Sequence, residues 1–223
     1  MTNQQPRVVL WDMDGTLLDS AELHWLSWRD TLEPAGRPVT HEKFVENFGR
    51  RNDAVIRGFF GDQVPEDEIA RIAAAKEERY RELVRTHGIE LLPGVRDWLT
   101  WLHEAGWRQA IASSAPRLNI ETILAALAIA DHFEAIVSGE DVHHGKPDPE
   151  VFLTAARRLG VPPARCVVVE DAVSGIEGAR RAGMRSLGVG PAHLTLPADL
   201  AVRSLAELPP ASVARLLAGP VPA

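Results

Sequence analysis

Apolar and polar positions along the chain fall into two registers. Five short runs are apolar or β-branched with little alternation: residues 8–11, 110–112, 135–137, 166–169 and 186–189. Continuous runs of this length suit strands covered on both faces. Between the later runs the apolar residues recur at helical spacing. In "VRDWLTWLHEAG", Val95, Trp98, Leu99 and Leu102 stand at i, i+3, i+4 and i+7, and Gly106 supplies a stop. "LNIETILAALAI" and "PEVFLTAARRLG" follow the same rule, the second with Pro149 in its first turn and Gly160 closing it. "VSGIEGARRAG" completes the series. Strand alternating with helix predicts βαβ units, hence an α/β fold with a parallel, Rossmann-like sheet in a three-layer α/β/α arrangement.

The first half breaks this pattern. Residues 21–90 contain no convincing strand, only the helical segments "AELHWLSWRDTLEPAG", "HEKFVENF", "NDAVIRGFF" and "EDEIARIAAAKEERYRELVRTHG". An insertion of about 70 residues is too long for a βα loop. It predicts a helical cap domain over 21–90, with a core domain made of 1–20 and 91–223. The chain enters the cap near Ser20 and leaves it near "LLPGV". No repeat or low-complexity tract is present, and "LPPASVARLLAGPVPA" reads as a short helix and a loose tail.

Polar residues gather where the apolar runs stop. Asp12 and Asp14 follow the first run, Ser113 and Ser114 the second, "HHGKPDP" the third, and Glu170 and Asp171 the fourth. In an open α/β sheet the ligand crevice lies beyond the carboxyl ends of the strands. Alone, Asp12 and Asp14 would also fit a strand-end Asx turn; with Glu170 and Asp171 they read as a site. Four carboxylates in one place cannot all ionise without a cation. An oxygen-only set without paired His or Cys suits a hard ion, and Mg²⁺ suits a site shared with a phosphate. Lys146 would add a point charge for that phosphate, and the Ser113 hydroxyl with nearby backbone N–H groups would add donors. A carboxylate can attack phosphorus. A second one two residues on can serve first as general acid and then as general base.

Composition narrows the picture further. The 223 residues carry a net charge of -7, which argues against a nucleic-acid binder. No run approaches a membrane span and "MTNQQPR" lacks a signal-peptide core, so a cytoplasmic protein is expected. The single cysteine, Cys166, excludes an internal disulfide and reads as an inert buried thiol. His143 and His144 are adjacent and so point apart, as in a solvated loop, and the six tryptophans read as packing residues.

Taken together, "DMDGTLLDS", Ser113, Lys146 in "GKPDPEVF" and "VVVEDAVSGIEGARRAGM" resemble the four motifs of the haloacid-dehalogenase-like phosphotransferases, in particular the β-phosphoglucomutase-like branch. The resemblance spans nearly the whole chain. It implies Asp12 as nucleophile and Asp14 as acid/base. It also implies Asp12, the Asp14 main-chain carbonyl, Glu170 and Asp171 around Mg²⁺, and Ser113 and Lys146 on the phosphate. Dehalogenases of this superfamily lack the second aspartate, so Asp14 argues against dehalogenation. His24 and Lys76 match positions where the mutase places a His and a Lys near its acid/base. Two departures weaken a mutase reading. Asn52 stands where the mutase has its distal-phosphate arginine, with Arg50 and Arg51 as neighbours. "SSAPRLN" replaces a Ser-Lys-Asn run, leaving Ser114 and Arg117 as substrate-facing candidates. The expectation is a Mg²⁺-dependent phosphatase acting on a small phosphorylated sugar or polyol as a monomer. β-Phosphoglucomutase is the alternative, and a non-catalytic phospho-receiver module is a more distant one.

Overall fold

The computed structural model describes residues 6–218. Among them, β1 (Val8–Trp11), β2 (Arg108–Ala112), β3 (Ala135–Val137), β4 (Cys166–Glu170), β5 (Arg185–Val189) and β6 (Leu200–Val202) form one sheet in the order β3-β2-β1-β4-β5-β6. All its pairings are parallel. The winding reverses between β1 and β4, and it is at such a switch point that a crevice opens beyond the strand ends. Trp11 pairs with Val169 and the Asp12 amide donates to the Val169 carbonyl at 3.0 Å, so the residues following β1 and ending β4 are neighbours.

The β1 sequence VVLW is buried throughout. Val9 and Trp11 face one apolar cluster with Trp98, Leu99 and Val169, while Val8 and Leu10 face another with Phe152 and Val168. Burial on both faces is why the strand shows no polar alternation. Helices α5 (Val95–Glu104) and α6 (Arg117–Leu127) cover the first face; α7 (Glu150–Arg158) and α8 (Val173–Arg181) cover the second. Trp11 and Trp98 meet edge to face at 6.5 Å. Buried Trp11 donates to Gln109 Oε1 at 3.0 Å, and Gln109 donates to the Leu99 carbonyl, leaving no polar atom of that group stranded. Cys166 is buried and its thiol is pushed up to about 12 by that burial, as an inert packing residue requires.

Between β1 and α5 lie α1 (Ala21–Leu32), α2 (His41–Asn47), α3 (Asn52–Phe60) and α4 (Glu66–His87). They enclose a third apolar cluster, including Trp28, Phe44, Ile56 and Phe59. The C-terminal part of α4 instead contributes Tyr80 and Val84 to the sheet-side cluster, tying the insert to the sheet.

Strands β2, β4 and β5 run one or two residues beyond their apolar stretches, because pairing with neighbours extends them into polar positions. Strand β6 has no counterpart in the sequence reading. It is three residues long, half-buried and at the sheet edge, so burial imposes no pattern on it. Helix α1 stops at Leu32 rather than continuing through "EPAG": Glu33 keeps helical angles, but Pro34 has no N–H to extend the ladder and Gly36 turns the chain at φ +70°. The closing segment forms a short helix, α9 (Val213–Leu216); the expected tail at 219–223 lies outside the described residues. No described helix is long and apolar enough to cross a membrane.

Candidate active site

Asp12, Glu170 and Asp171 can each offer an oxygen to one point, with those atoms all within 4.8 Å of one another. Backbone shape permits the approach. Gly15 has φ +83°, and a Cβ there would lie 2.1 Å from Asp171 Oδ2; a Cβ on Gly175 would lie 1.8 Å from Glu170 Oε1. Thr16 donates to Asp171 at 3.3 Å and the Ala172 amide to Glu170 at 2.8 Å. Burial pushes the Asp12 carboxyl well above its ordinary value; Lys146 works against this, and Glu170 and Asp171 add to it. Burial and the Glu170 charge lift Asp171 to about 7. Three crowded carboxylates against the one Lys146 ammonium carry more negative charge than the site balances by itself. The donor set is all oxygen, so the residues fit a hard divalent cation.

Lys146 reaches this cluster from the loop after β3. Its Nζ donates to Asp12 Oδ1 at 2.5 Å and to Glu170 Oε1 at 2.8 Å, over the Phe152 ring. Burial opposes its charge, but Asp12 and Glu170 outweigh that and hold the ammonium above its usual range. Ser113, at the end of β2, is buried. Its Oγ accepts from the Ala115 amide at 3.1 Å, which leaves the hydroxyl proton free for a phosphate oxygen.

Asp14 heads a second group that runs into the helical insert. Its Oδ1 accepts from Ser20 at 2.5 Å and faces His24 Nε2 at 3.5 Å. The other ring nitrogen of His24 is 2.9 Å from Lys76 Nζ, and Lys76 donates onward to Glu77 at 2.9 Å. Because an ammonium can only donate, His24 Nδ1 accepts and its proton sits on Nε2, aimed at Asp14. His24 also stacks on Tyr80 at 4.1 Å. Burial and the Lys76 charge lower the pKa of His24. Burial would raise Asp14, but His24 and Ser20 outweigh it and keep this carboxyl below the usual range. Burial lowers the Lys76 pKa against the pull of Glu77.

A cavity of about 330 Å³ opens between the insert and the sheet and reaches Asp14. His24, Arg51, Asn52, Lys76 and Ser114 line it. Arg51 spans the cleft to the His143 carbonyl at 3.3 Å, on the loop that carries Lys146. Asn52 donates to Glu77 at 2.7 Å. Arg117 does not reach the cavity. Its guanidinium donates to Asp141 at 2.7 Å and to the Ile136 carbonyl, so it staples α6 to the end of β3 and the expectation of substrate contact is corrected. Lys76 is buried, 2 % exposed, although it lies in a charged stretch of α4.

Glu77, Asn119 and Ser20 were not among the sequence-derived site residues. Glu77 is nearly buried and holds Lys76, Asn52 and, through Oε2, Asn119 at 2.5 Å. Arg81 donates to the same Asn119. A signal exists in α4: Ile69, Ile72, Lys76, Tyr80 and Leu83 form one helical stripe, which puts a lysine in the apolar face. Asp19, by contrast, only caps the start of α1 by accepting from the Ala21 amide.

The family model described as haloacid dehalogenase-like hydrolase matches residues 6–183. The chain belongs to that family. β-Phosphoglucomutase of Bacillus subtilis (strain 168) is 35% identical over 208 residues, covering 91% of each chain. Hexitol phosphatase B of Escherichia coli (strain K12) is 32% identical over 222 residues, 93% of this chain and 96% of the relative. The crystal structure of CbbY from Rhodobacter sphaeroides in complex with phosphate superposes with a TM-score of 0.84 at 31% identity, covering 92% of this chain and 96% of that one. As a haloacid dehalogenase-like hydrolase with these relatives, the chain is an enzyme of phosphatase or phosphotransferase type, and its sheet and helices match the β-phosphoglucomutase-like fold.

Proposed function

We propose that the chain is a Mg²⁺-dependent phosphatase that hydrolyses a small phosphorylated sugar or polyol through an aspartyl-phosphate on Asp12. The observation that carries this reading is Asp12 bound to Lys146 beside the Glu170–Asp171 pair, with Asp14 two residues on, under the cavity that the insert closes. Asp12, Glu170, Asp171 and the Asp14 carbonyl would hold Mg²⁺, whose charge offsets the repulsion between a carboxylate and a phosphoryl group.

In the first step an Asp12 oxygen bonds to phosphorus as the bond from phosphorus to the leaving oxygen breaks. A proton from Asp14 goes to that oxygen, releasing the alcohol. Lys146 and Ser113 orient the phosphoryl oxygens throughout. In the second step water attacks phosphorus, its proton goes to Asp14, and the bond to Asp12 breaks. Inorganic phosphate leaves and both aspartates return to their starting states. The free site favours Asp14 as a carboxylate, the form required of a base; a phosphate dianion bound beside it raises its pKa toward the acid form.

Hydrolysis is favoured over intramolecular transfer by what surrounds the leaving group. Asn52, at the position of the mutase's distal-phosphate arginine, gives its amide to Glu77, and Ala115 and Pro116 present apolar surface to the cavity. The relative named as a hexitol phosphatase supports the sugar or polyol class. The His24–Lys76 pair and the B. subtilis relative favour the mutase alternative. One experiment separates them. With Mg²⁺, sugar and polyol phosphates should yield steady phosphate release, abolished in Asp12→Asn. Conversion of β-glucose 1-phosphate to glucose 6-phosphate, stimulated by the 1,6-bisphosphate and with little phosphate release, would establish the mutase instead.

A further inference from the structure

We infer that Glu77 selects substrates whose leaving group is uncharged and rejects those carrying a second anion. The inference rests on the phosphatase reading and extends it to the far end of the same cavity. Asp14 aside, the charged side chains lining the cavity are Arg50, Arg51 and Lys76 against Asp53, Glu77 and Glu140, so it offers no net positive charge. Lys76 is the only one of the three cations among the buried residues, and Glu77 already holds it at 2.9 Å. The other two are committed toward the rim: Arg50 donates to Asn47 at 3.0 Å and Arg51 to the His143 carbonyl.

Glu77 itself cannot swing aside. Oε1 takes Lys76 and Asn52, and Oε2 takes Asn119, whose own carbonyl oxygen is fixed by Arg81 at 2.9 Å. Burial would raise the Glu77 carboxyl, but the Lys76 charge and the hydrogen bonds from Lys76 and Asn52 outweigh it and keep it below the usual range. A carboxylate or phosphate on the substrate's distal carbon would have to sit in this low-dielectric floor beside a fixed carboxylate, or strip Lys76 from it. Like charges brought together there cost several-fold to many-fold in binding. A hydroxyl in the same place meets acceptors and amide groups it can bond.

The test compares sorbitol 6-phosphate with 6-phosphogluconate at pH 7.5 in Mg²⁺. The two differ at carbon 1, a hydroxymethyl in one and a carboxylate in the other. Wild-type protein should show kcat/KM at least about 100-fold higher for the neutral-tailed ester. Glu77→Gln, which keeps the shape and frees Lys76, should shrink the preference below about tenfold, while Glu77→Asp, which keeps the charge, should retain it. A wild-type preference under tenfold overturns the inference, whether or not Glu77→Gln folds. So does an unchanged preference in a Glu77→Gln variant with a cooperative thermal melt. Absence of phosphate release from both esters and from para-nitrophenyl phosphate would overturn the phosphatase reading itself, and this inference with it; release with the wrong preference overturns the inference alone.

Discussion

At the scale of single residues the proposed site divides into an electrostatic half and a proton-handling half. Asp12, Glu170, Asp171 and Lys146 form the first; Asp14, Ser20, His24 and Lys76 form the second. His24 touches Asp14 through one nitrogen and Lys76 through the other, so its tautomer is set by the lysine. His24→Ala removes the N–H aimed at Asp14. Decay of the phosphoenzyme after rapid quench should then slow by about 100-fold, the usual size of a general acid–base contribution. An unchanged decay would show that His24 does not act on Asp14 during turnover. Asp171→Asn removes one of three carboxylates around the cation position; the Mg²⁺ concentration for half-maximal activity should rise by about tenfold or more, as measured by titration.

Legibility in the sequence was uneven and did not follow that division. Asp12, Asp14, Glu170 and Asp171 stand out because two pairs of carboxylates close two strands at once, which a strand-end turn at either place would not require. Glu77 does not, because a buried carboxylate inside "AAAKEERY" is written with the same letters as a solvated one. Only its neighbour Lys76, lying in the apolar stripe of α4, marks that face as unusual. Arg117 failed in the opposite sense: proximity to Ser113 in sequence suggested substrate contact, whereas the first turn of α6 points its guanidinium at Asp141.

At the scale of elements, the segments that carry the site are held by polar staples. Asp141 is the clearest. It accepts from the Ser138 amide and hydroxyl, at 2.8 and 2.7 Å, and from Arg117 and Arg158, so one carboxylate fixes the end of β3 against α6 and α7. These partners outweigh burial and hold its pKa well below the usual carboxylate range. A depressed folded pKa gives stability that is present above the unfolded value of about 4 and is lost as pH falls below it. Asp141→Asn should therefore cost about 1–2 kcal/mol near pH 7, a charged hydrogen-bond network at a part-exposed position. The difference from wild type should hold down to about pH 5 and narrow as the pH is lowered further. Denaturant melts of both proteins between pH 7 and pH 3 check this; a constant difference across that range would show that the carboxylate charge contributes nothing.

At the scale of the molecule, the sheet order places β1 and β4 side by side although their sequences are far apart, and the acidic cluster exists only once both have paired. Folding therefore brings together carboxylates that repel one another. Asp12 and Asp171 are both pushed upward by burial, and Lys146 relieves only part of the crowding. The unfolded chain has no such cluster, so on the proposed reading Mg²⁺ would bind the folded state alone and should stabilise it by mass action. At 100 times the dissociation constant the gain is about 2.7 kcal/mol, visible as a rise in Tm that increases with the logarithm of Mg²⁺ concentration. Asp171→Asn should blunt the rise, and Asp141→Asn, whose staple lies apart from the carboxylates, should leave it intact while starting from a lower Tm. A Tm insensitive to Mg²⁺ in the wild-type protein would mean that the three carboxylates are not a cation site. Equal responses in wild type and Asp171→Asn would place the ion elsewhere on the molecule.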